Sequence, residues 1–304
     1  MMNFMTSSKD AIRLVGKRFE HWQSLPEHLI HPGPAMMINI NELPNTRQDV
    51  TLDKVDFLIN NEILTGSGNG LDFRVDQKSG LAEVWIESDI LKRTSFFTHD
   101  ILGAIVRYLV FSRDRVPLHA STLIIDETAL ILYGKSGSGK STLSYQLLKH
   151  GADILSESAV FIASKGEYRL WGDIQDIYLR PDVKNLFPEL ATYPDKILPN
   201  GKTKIQIPYP FFGGSNQRRL HFSGRMFLII LERAEDVPSR LTEINHHDVI
   251  EKLMSERESG FDLSDTFAET ITHLPVTSTF VLDSGNDLAF KAELLENLCN
   301  QKHV

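Results

Sequence analysis

Apolar positions along the chain follow two different periods. Between Ala35 and Asp89 they come as short runs, AMMINI, VDFLI, LDFRV and AEVWIES, separated by Gly66-Ser67-Gly68-Asn69-Gly70 and Lys78-Ser79-Gly80. Short runs broken by turn residues predict a small, mainly antiparallel module. Upstream, in MMNFMTSSKDAIRLVGKRFEHW, residues Ile12, Val15, Phe19 and Trp22 fall at helical spacing. This predicts an amphipathic helix packed on its own domain, because Lys9, Asp10, Glu20 and His21 give it no basic face for a membrane. Downstream, Thr98 to Phe111 (THDILGAIVRYLVF) predicts a strongly apolar helix buried between two halves, closed by Arg113-Asp114-Arg115-Val116-Pro117. The expected division is an α+β domain over 1–114, suited to substrate selection, and a second domain over 115–304.

The second region opens with LHASTLIID, a strand expected to turn at Asp126-Glu127 into the apolar strand TALILY. STLSYQLLKHG then has helical spacing, with Leu143, Leu147 and Leu148 on one side and Gly151 at its end. SAVFIAS, a turn at Lys165-Gly166-Glu167, YRLWGDIQDIYL and the very apolar RMFLIILERAE follow as strand segments. Helices are predicted at HHDVIEKLMSERES and NDLAFKAELLENLCNQ. Ahead of both helices, Pro194 to Arg219 is rich in Pro, Gly and cations and predicts a loop with one short central strand, either a lid that brings Lys202, Lys204, Arg218 and Arg219 to a phosphate or a connector. No repeat or low-complexity tract interrupts the pattern.

Composition narrows the classes. With 304 residues and 41% hydrophobic content the chain builds real cores. A formal net charge of −8 argues against a nucleic-acid groove as the main surface. Cys299 is the single cysteine, which excludes an intramolecular disulfide and a Cys-based zinc site. The N-terminus lacks the uninterrupted apolar core of a secretory signal and no segment has the roughly 20 apolar residues of a membrane span. The expectation is a soluble, cytoplasmic protein without a membrane partner.

The chemistry concentrates in Gly134-Lys135-Ser136-Gly137-Ser138-Gly139-Lys140-Ser141-Thr142, set between an apolar strand and a helix. Glycines let successive amide N–H groups turn inward toward a polyphosphate, and the following helix adds its positive end. Lys140 is then the cation for the β and γ phosphates, and the Ser141 hydroxyl a ligand for Mg²⁺. Strand, glycine loop and helix together predict nucleotide or phosphate binding.

The order His119-Ala120-Ser121, hairpin, GKSGSGKST, helix and GADILSESAVFI resembles the catalytic domain of the HPr kinase/phosphorylase family, over about residues 115 to 285. The resemblance implies an α/β fold of the HPr kinase and PEP-carboxykinase-like P-loop type. It also implies ATP and Mg²⁺ as cofactors, transfer to a serine of a peptide or small protein, and, since members are often oligomeric, a homo-oligomer. Related kinases that modify peptides make a peptide acceptor an expectation. The family's C-terminal phosphorylase signature is absent, so that activity is not carried over. Where the family carries two adjacent aspartates this chain has Glu157-Ser158, which keeps the first acid as glutamate and loses the second.

Glu157, expected to begin the strand beside the loop helix, is the candidate to accept the seryl proton or to orient a Mg²⁺ water; the alternative is an exposed carboxylate at a strand edge. His119 matches the family's histidine upstream of the loop, near the phosphates or the acid, although a histidine at a strand start also serves as a structural hydrogen bonder. Asp173 and Asp176 are further Mg²⁺ candidates, and Arg180 is either a phosphate clamp or a helix-terminus cation. Glu232, ending FLIILE, has the form of the Mg²⁺-holding acid of ordinary P-loop enzymes, but an ion pair with Arg233 ranks it below Glu157. His246-His247-Asp248 is expected to open a helix capped by Asn245 rather than to bind a metal. Two other functions stay open: a nucleotide-binding regulator that lost turnover with the acidic pair, and a small-molecule kinase.

Overall fold

The computed structural model describes residues 2–24, 34–45, 55–111, 115–163, 169–174, 176–198, 201–214, 216–233, 237–255, 272, 274, 276–285 and 287–301. The turn at Lys165-Gly166-Glu167, Arg113-Asp114 and the helical pattern beyond Ser255 lie outside the described residues. It is a mixed α/β structure with several sheets, in two compact units. One comprises 1–114 with 199–202, the other 115–198 with 203–304.

In the first unit β1 (Met2–Thr6), β2 (Met36–Leu43), β3 (Asp56–Asn60), β4 (Ile63–Gly68), β5 (Leu71–Asp76) and β6 (Leu81–Glu87) form one sheet, ordered β1-β2-β6-β5-β4-β3. β3 to β6 run as the antiparallel meander that the alternating pattern predicts, but β2 joins β6, and β1 joins β2, in parallel. Two expectations are corrected. The chain opens with β1, and α1 (Lys9–Phe19) begins only after Ser8, whose hydroxyl accepts from the Ala11 amide. The buried face of α1 is Ala11, Leu14, Val15 and Arg18, leaving Ile12 56% exposed. Gly66 to Gly68 belong to β4 rather than to a turn. Gly66 sits opposite Phe73, and a Cβ there would lie 2.2 Å from the Phe73 ring. Short α2 (Ser88–Leu91) follows β6, and a π-helical turn over Phe96–Ile101 leads into α3 (Leu102–Phe111). α3 packs on β5, within its own unit, and buries Leu102, Ala104, Ile105 and Leu109.

The second unit contains β7 (Arg115–Leu118), β8 (Ser121–Ile125), β9 (Thr128–Tyr133), α4 (Lys140–Lys149), β10 (Asp153–Ser156), β11 (Val160–Ala163), β12 (Leu170–Gly172) and β13 (Asp176–Leu179). They are followed by β14 (Asp195–Ile197), β15 (Thr203–Pro208), β16 (His221–Phe222), β17 (Arg225–Arg233), β18 (Arg240–Ile244), α5 (His246–Ser255), β19 (Ser278–Ser284) and α6 (Leu288–Asn300). The main sheet is ordered β10-β8-β9-β17-β19-β18, with β17 parallel to both β9 and β19. β9 is buried at every position and β17 nearly so, which is why both are unbroken apolar runs without alternation. The β8–β9 hairpin turns where the pattern placed it. Asp126 (φ 44°) and Glu127 (φ 60°) both take the left-handed conformation that matches strand twist.

Two smaller sheets complete the unit, β16-β12-β11-β7 and β13-β15-β14. The second corrects the reading of 194–219: β14 and β15 make an antiparallel pair there, and β15 is stitched to β13. Leu130, Leu132, Leu143, Leu147, Ile177, Ile229 and Leu295 share one core, so α4 is clamped against β8, β13 and α6. Where β12 crosses β10, a Cβ on Gly172 would stand 1.7 Å from the Leu155 carbonyl oxygen, a backbone atom with nowhere to go. Gly172→Ala is therefore expected to destabilise the protein by roughly 1–3 kcal/mol, as overpacking does, measured as a lower urea midpoint with unchanged slope. An unchanged midpoint would show that the two strands separate freely.

Candidate functional site

Tyr133 ends a strand flanked by β8 and β17, so the chain leaves the sheet at its edge-on end and enters Gly134. A Cβ on Gly134 would lie 2.8 Å from the Leu231 carbonyl oxygen, so glycine lets the loop start hard against the end of β17. Gly137 (φ 90°) and Gly139 (φ 97°) take left-handed backbone, and Gly139 is the N-cap of α4. The loop closes on itself through the Ser138 amide, which donates to the Lys135 carbonyl at 3.0 Å. Lys135, Ser136 and Gly137 are exposed; Ser141 and Thr142, on the first turn of α4, are half-buried. The Ser138 hydroxyl oxygen is buried with no hydrogen-bond partner. Lys140 is 9% exposed, and its ammonium donates to the carbonyls of Gly134 at 2.5 Å and Lys135 at 3.3 Å. The cation thus folds over the loop at the start of a helix.

Glu157 comes to this helix from the other side. It follows β10 instead of beginning β11, in a bend between strands of different sheets, because the β8–β10 register shifts between Ile154 and Ser156. Such a bulge re-aims the side chain that follows it. Ser141 Oγ donates to Glu157 Oε1 at 2.8 Å. Burial pushes the Glu157 carboxyl above the ordinary carboxylate range, opposed by the Ser141 hydrogen bond, the charges of Lys204 and Lys140, and a hydrogen bond from Ser158. Two sequence-predicted residues, Ser141 and Glu157, are thereby in direct contact, with two lysines close by.

What holds this bend is a group of buried hydroxyls that the motif pointed to only through HAS. The one proton of Ser121 Oγ goes to Ser144 Oγ at 2.7 Å or to the Ser156 carbonyl at 3.2 Å. Ser144 Oγ donates to the Lys140 carbonyl at 2.9 Å, and Ser156 Oγ donates to the Ala120 carbonyl at 3.2 Å. β8, β10 and α4 are tied together one residue before Glu157 and one helical turn after Lys140. His119 is half-buried between β7 and β8, two residues before Ser121.

Other candidates are engaged elsewhere. Asp176 accepts from Gln206 Nε2 at 2.6 Å, and Asp173 is half-buried beyond β12. Arg180 is exposed and precedes the short helix Pro181–Asn185, Arg219 pairs with Asp153 at 2.9 Å, and Arg218 stacks over Tyr209 at 4.5 Å. Glu232 takes Lys252 of α5 as its ion-pair partner, in place of the expected Arg233, because α5 brings a flexible cation to the end of β17. Asn245 caps α5 through the Asp248 amide, as expected. Among the described residues no three His, Cys, Asp or Glu side chains converge as a metal group. Cys299 is buried and its thiol is pushed up to about 12. A cleft of about 440 Å³ opens at the opposite end of α4, around His150, Asp153 and Glu296, and includes no residue of the loop. No helix among the described residues is long and apolar enough to cross a membrane.

Strand, glycine loop and helix with an acid hydrogen-bonded to the helix start define a mixed α/β protein with a phosphate-loop sequence in the expected setting. No family model matches the chain. Curated relatives do: the HPr kinase/phosphorylase of Streptococcus uberis is 24% identical over 219 residues, 62% of this chain and 64% of that protein. The HPr kinase/phosphorylase of Streptococcus agalactiae is 24% identical over 191 residues, 53% of this chain and 55% of that protein. The chain thus spans less than two thirds of the length of these relatives. A solved structure, the Hpr(Ser) kinase/phosphatase from Coxiella burnetii, covers 60% of this chain and 95% of its own at 13% identity, with a TM-score of 0.32, too loose an overlap to define the fold. The curated relatives support an HPr-kinase-like family for this chain.

Two outcomes follow from this geometry. Ser121→Ala leaves Ser144 and the Ser156 carbonyl short of a buried partner, and is expected to cost about 1–3 kcal/mol in chemical denaturation. A loss within about 0.5 kcal/mol would assign the three elements to apolar packing instead. For Glu157, a folded-state affinity for protons raised above the unfolded one means that its contribution is full in acid and is lost as pH rises through the folded value. Glu157→Gln is therefore expected to gain in melting temperature over the parent as pH goes from acid to neutral, in nucleotide-free protein. A difference independent of pH would remove burial as the dominant influence on this carboxyl.

Proposed function

We propose that this chain is an ATP- and Mg²⁺-dependent serine kinase that transfers the γ-phosphate to a seryl hydroxyl of a peptide or small protein in the cytoplasm, with the domain over 1–114 selecting the acceptor. The observation that carries this is the 2.8 Å hydrogen bond between Ser141, at the start of α4, and Glu157, directly behind a glycine loop and its lysine. Relatives named HPr kinase/phosphorylase support the same class. The residues present fit the cofactors. Exposed backbone at Lys135 to Gly137, left-handed glycines and the N-terminus of α4 suit an anion, and the unpartnered Ser138 hydroxyl lies beside them. One hydroxyl and one carboxylate suit Mg²⁺, which takes few protein ligands and keeps phosphate oxygens and waters. Bound Mg²⁺ would neutralise charge on the transferring phosphoryl group.

In this mechanism the loop amides and Lys140 hold the phosphates, Lys140 exchanging its two loop carbonyls for phosphate oxygens. Ser141 and Glu157 would hold the metal, and Glu157 accepts the proton that leaves the seryl oxygen. Half-buried in its bend, Glu157 holds a proton more readily than a surface carboxylate, with Ser141, Lys204 and Lys140 opposing that. His119 supports the site from the strand connection that carries Ser121.

One feature favours a second reading. Ser158 stands where the family's second acid would be, and a chain that binds nucleotide without turnover would tolerate that loss. Purified protein with ATP and Mg²⁺ is expected to transfer labelled phosphate to a seryl peptide. Glu157→Gln should lower this at least tenfold, about 1.4 kcal/mol of barrier. Nucleotide binding with no transfer to any peptide or protein would establish the regulator instead, and transfer only to a free metabolite would establish a small-molecule kinase.

A further inference from the structure

Among the described residues β3 is the last strand on its side of the first sheet, and all five of its residues are exposed. Three of them are consecutive large apolar side chains: Phe57 is 48% exposed, Leu58 65% and Ile59 44%. No other described strand leaves three such side chains in a row in solvent. Outer strands are ordinarily protected by charge, proline or a bulge. β18, at the end of the main sheet, carries exposed Arg240 and Glu243 in this way, whereas β3 (DFLIN) keeps its one charge, Asp56, at its start.

Strand register prepares this edge. Phe57 faces Gly66, which faces Phe73, and Ile59 faces Leu64, which faces Val75. Leu64, Phe73 and Val75 are buried, so Phe57 and Ile59 extend two rows of the core face out to the margin of the sheet. Gly66 leaves room for the Phe73 ring, which meets Phe57 edge-on with 5.8 Å between centroids and fixes that side chain in place. Leu58 lies on the opposite face, opposite Thr65. Apolar surface therefore reaches water on both faces of one strand.

The order of residues in β3 fits a second copy of itself. Laid antiparallel about a two-fold axis through Leu58, Leu58 meets Leu58, Phe57 meets Ile59, and Asp56 meets Asn60. Every apolar residue finds an apolar partner, and no like charges face each other. A slip of two residues in either direction sets Asp56 or Asn60 against Leu58, and a slip of one sends the apolar rows to opposite faces.

We infer that β3 is a self-pairing edge: two copies of this chain join there as an antiparallel strand pair, and two six-stranded sheets become one continuous sheet. Such a contact is isologous, so each copy uses its edge once and association stops at two. Five residues a side is fewer than the roughly 20–30 of a standard interface, so the dimer is reversible and grows in with concentration. It involves no residue of the loop site and is independent of the serine-kinase reading.

The test is sedimentation velocity on the full chain from low to high micromolar concentration, where a monomer is expected to give way to a dimer. Leu58→Lys sets two ammonium groups across the axis and should weaken association about tenfold or more, while Leu58→Ile should retain it. Melting temperatures confirm that both variants fold. Register is read by oxidation: Leu58→Cys brings two thiols opposite each other and should give a disulfide-linked dimer on a non-reducing gel. Asn60→Cys, which faces position 56 in the pair, should not, and the native Cys299 is buried. A monomer at every concentration, a dimer undiminished by Leu58→Lys, or cross-linking of Asn60→Cys as ready as that of Leu58→Cys would each overturn the proposal.

Discussion

The geometry of the site depends on a set of buried serine hydroxyls. Ser121 of β8 and Ser144 of α4 lie 2.7 Å apart in the core, with Ser156 of β10 bonded to Ser121 and to the Ala120 carbonyl. An unsatisfied hydroxyl in such a place costs the full desolvation of its partners, which is why three elements are held to one arrangement. With the hydroxyls in place, the start of α4 and the bend at Glu157 are set relative to each other, and Ser141 reaches Glu157 as a consequence.

Charge is then arranged around a carboxyl that does not favour ionisation where it sits. Burial raises its affinity for the proton, and the Ser141 hydroxyl, Lys204 and Lys140 oppose that. A group poised between these influences is suited to taking up a proton, whereas a solvated glutamate is a weak base. Lys140 serves both the loop and this carboxyl, since its ammonium is held on loop carbonyls. The β14–β15 pair, read along the chain as either a lid or a connector, supplies the second cation.

Much of the architecture was legible along the chain where one period ruled without competition. The β8–β9 hairpin, the buried β9 and β17, α4 and the glycine loop all follow from local pattern, because a short apolar run, a two-residue turn and a left-handed glycine each carry their own geometry. Errors arose where a distant partner decided. Gly66 looked like a turn residue, and is a strand residue because Phe73 of the next strand needs the space. Ile12 had the right spacing, yet the face of α1 was chosen by what packs against it, and β1 exists only because β2 lies alongside. Lys252 displaced Arg233 as the partner of Glu232 for the same reason.

For the site, the amino-acid sequence alone determined the loop, its lysine and the Ser141 hydroxyl, since these belong to one contiguous motif whose chemistry follows from residue type and spacing, while the candidacy of Glu157 came from the resemblance to the HPr kinase/phosphorylase family. Only the tertiary structure decided that a register shift in β10 turns Glu157 onto Ser141, that Ser121 of the HAS run ties β8 to β10 and α4, and that Lys204 stands near the acid. Those contacts join residues far apart in the chain. Local pattern carries no information about such distances, because they are set by the packing of β8, β10, β15 and α4 against one another.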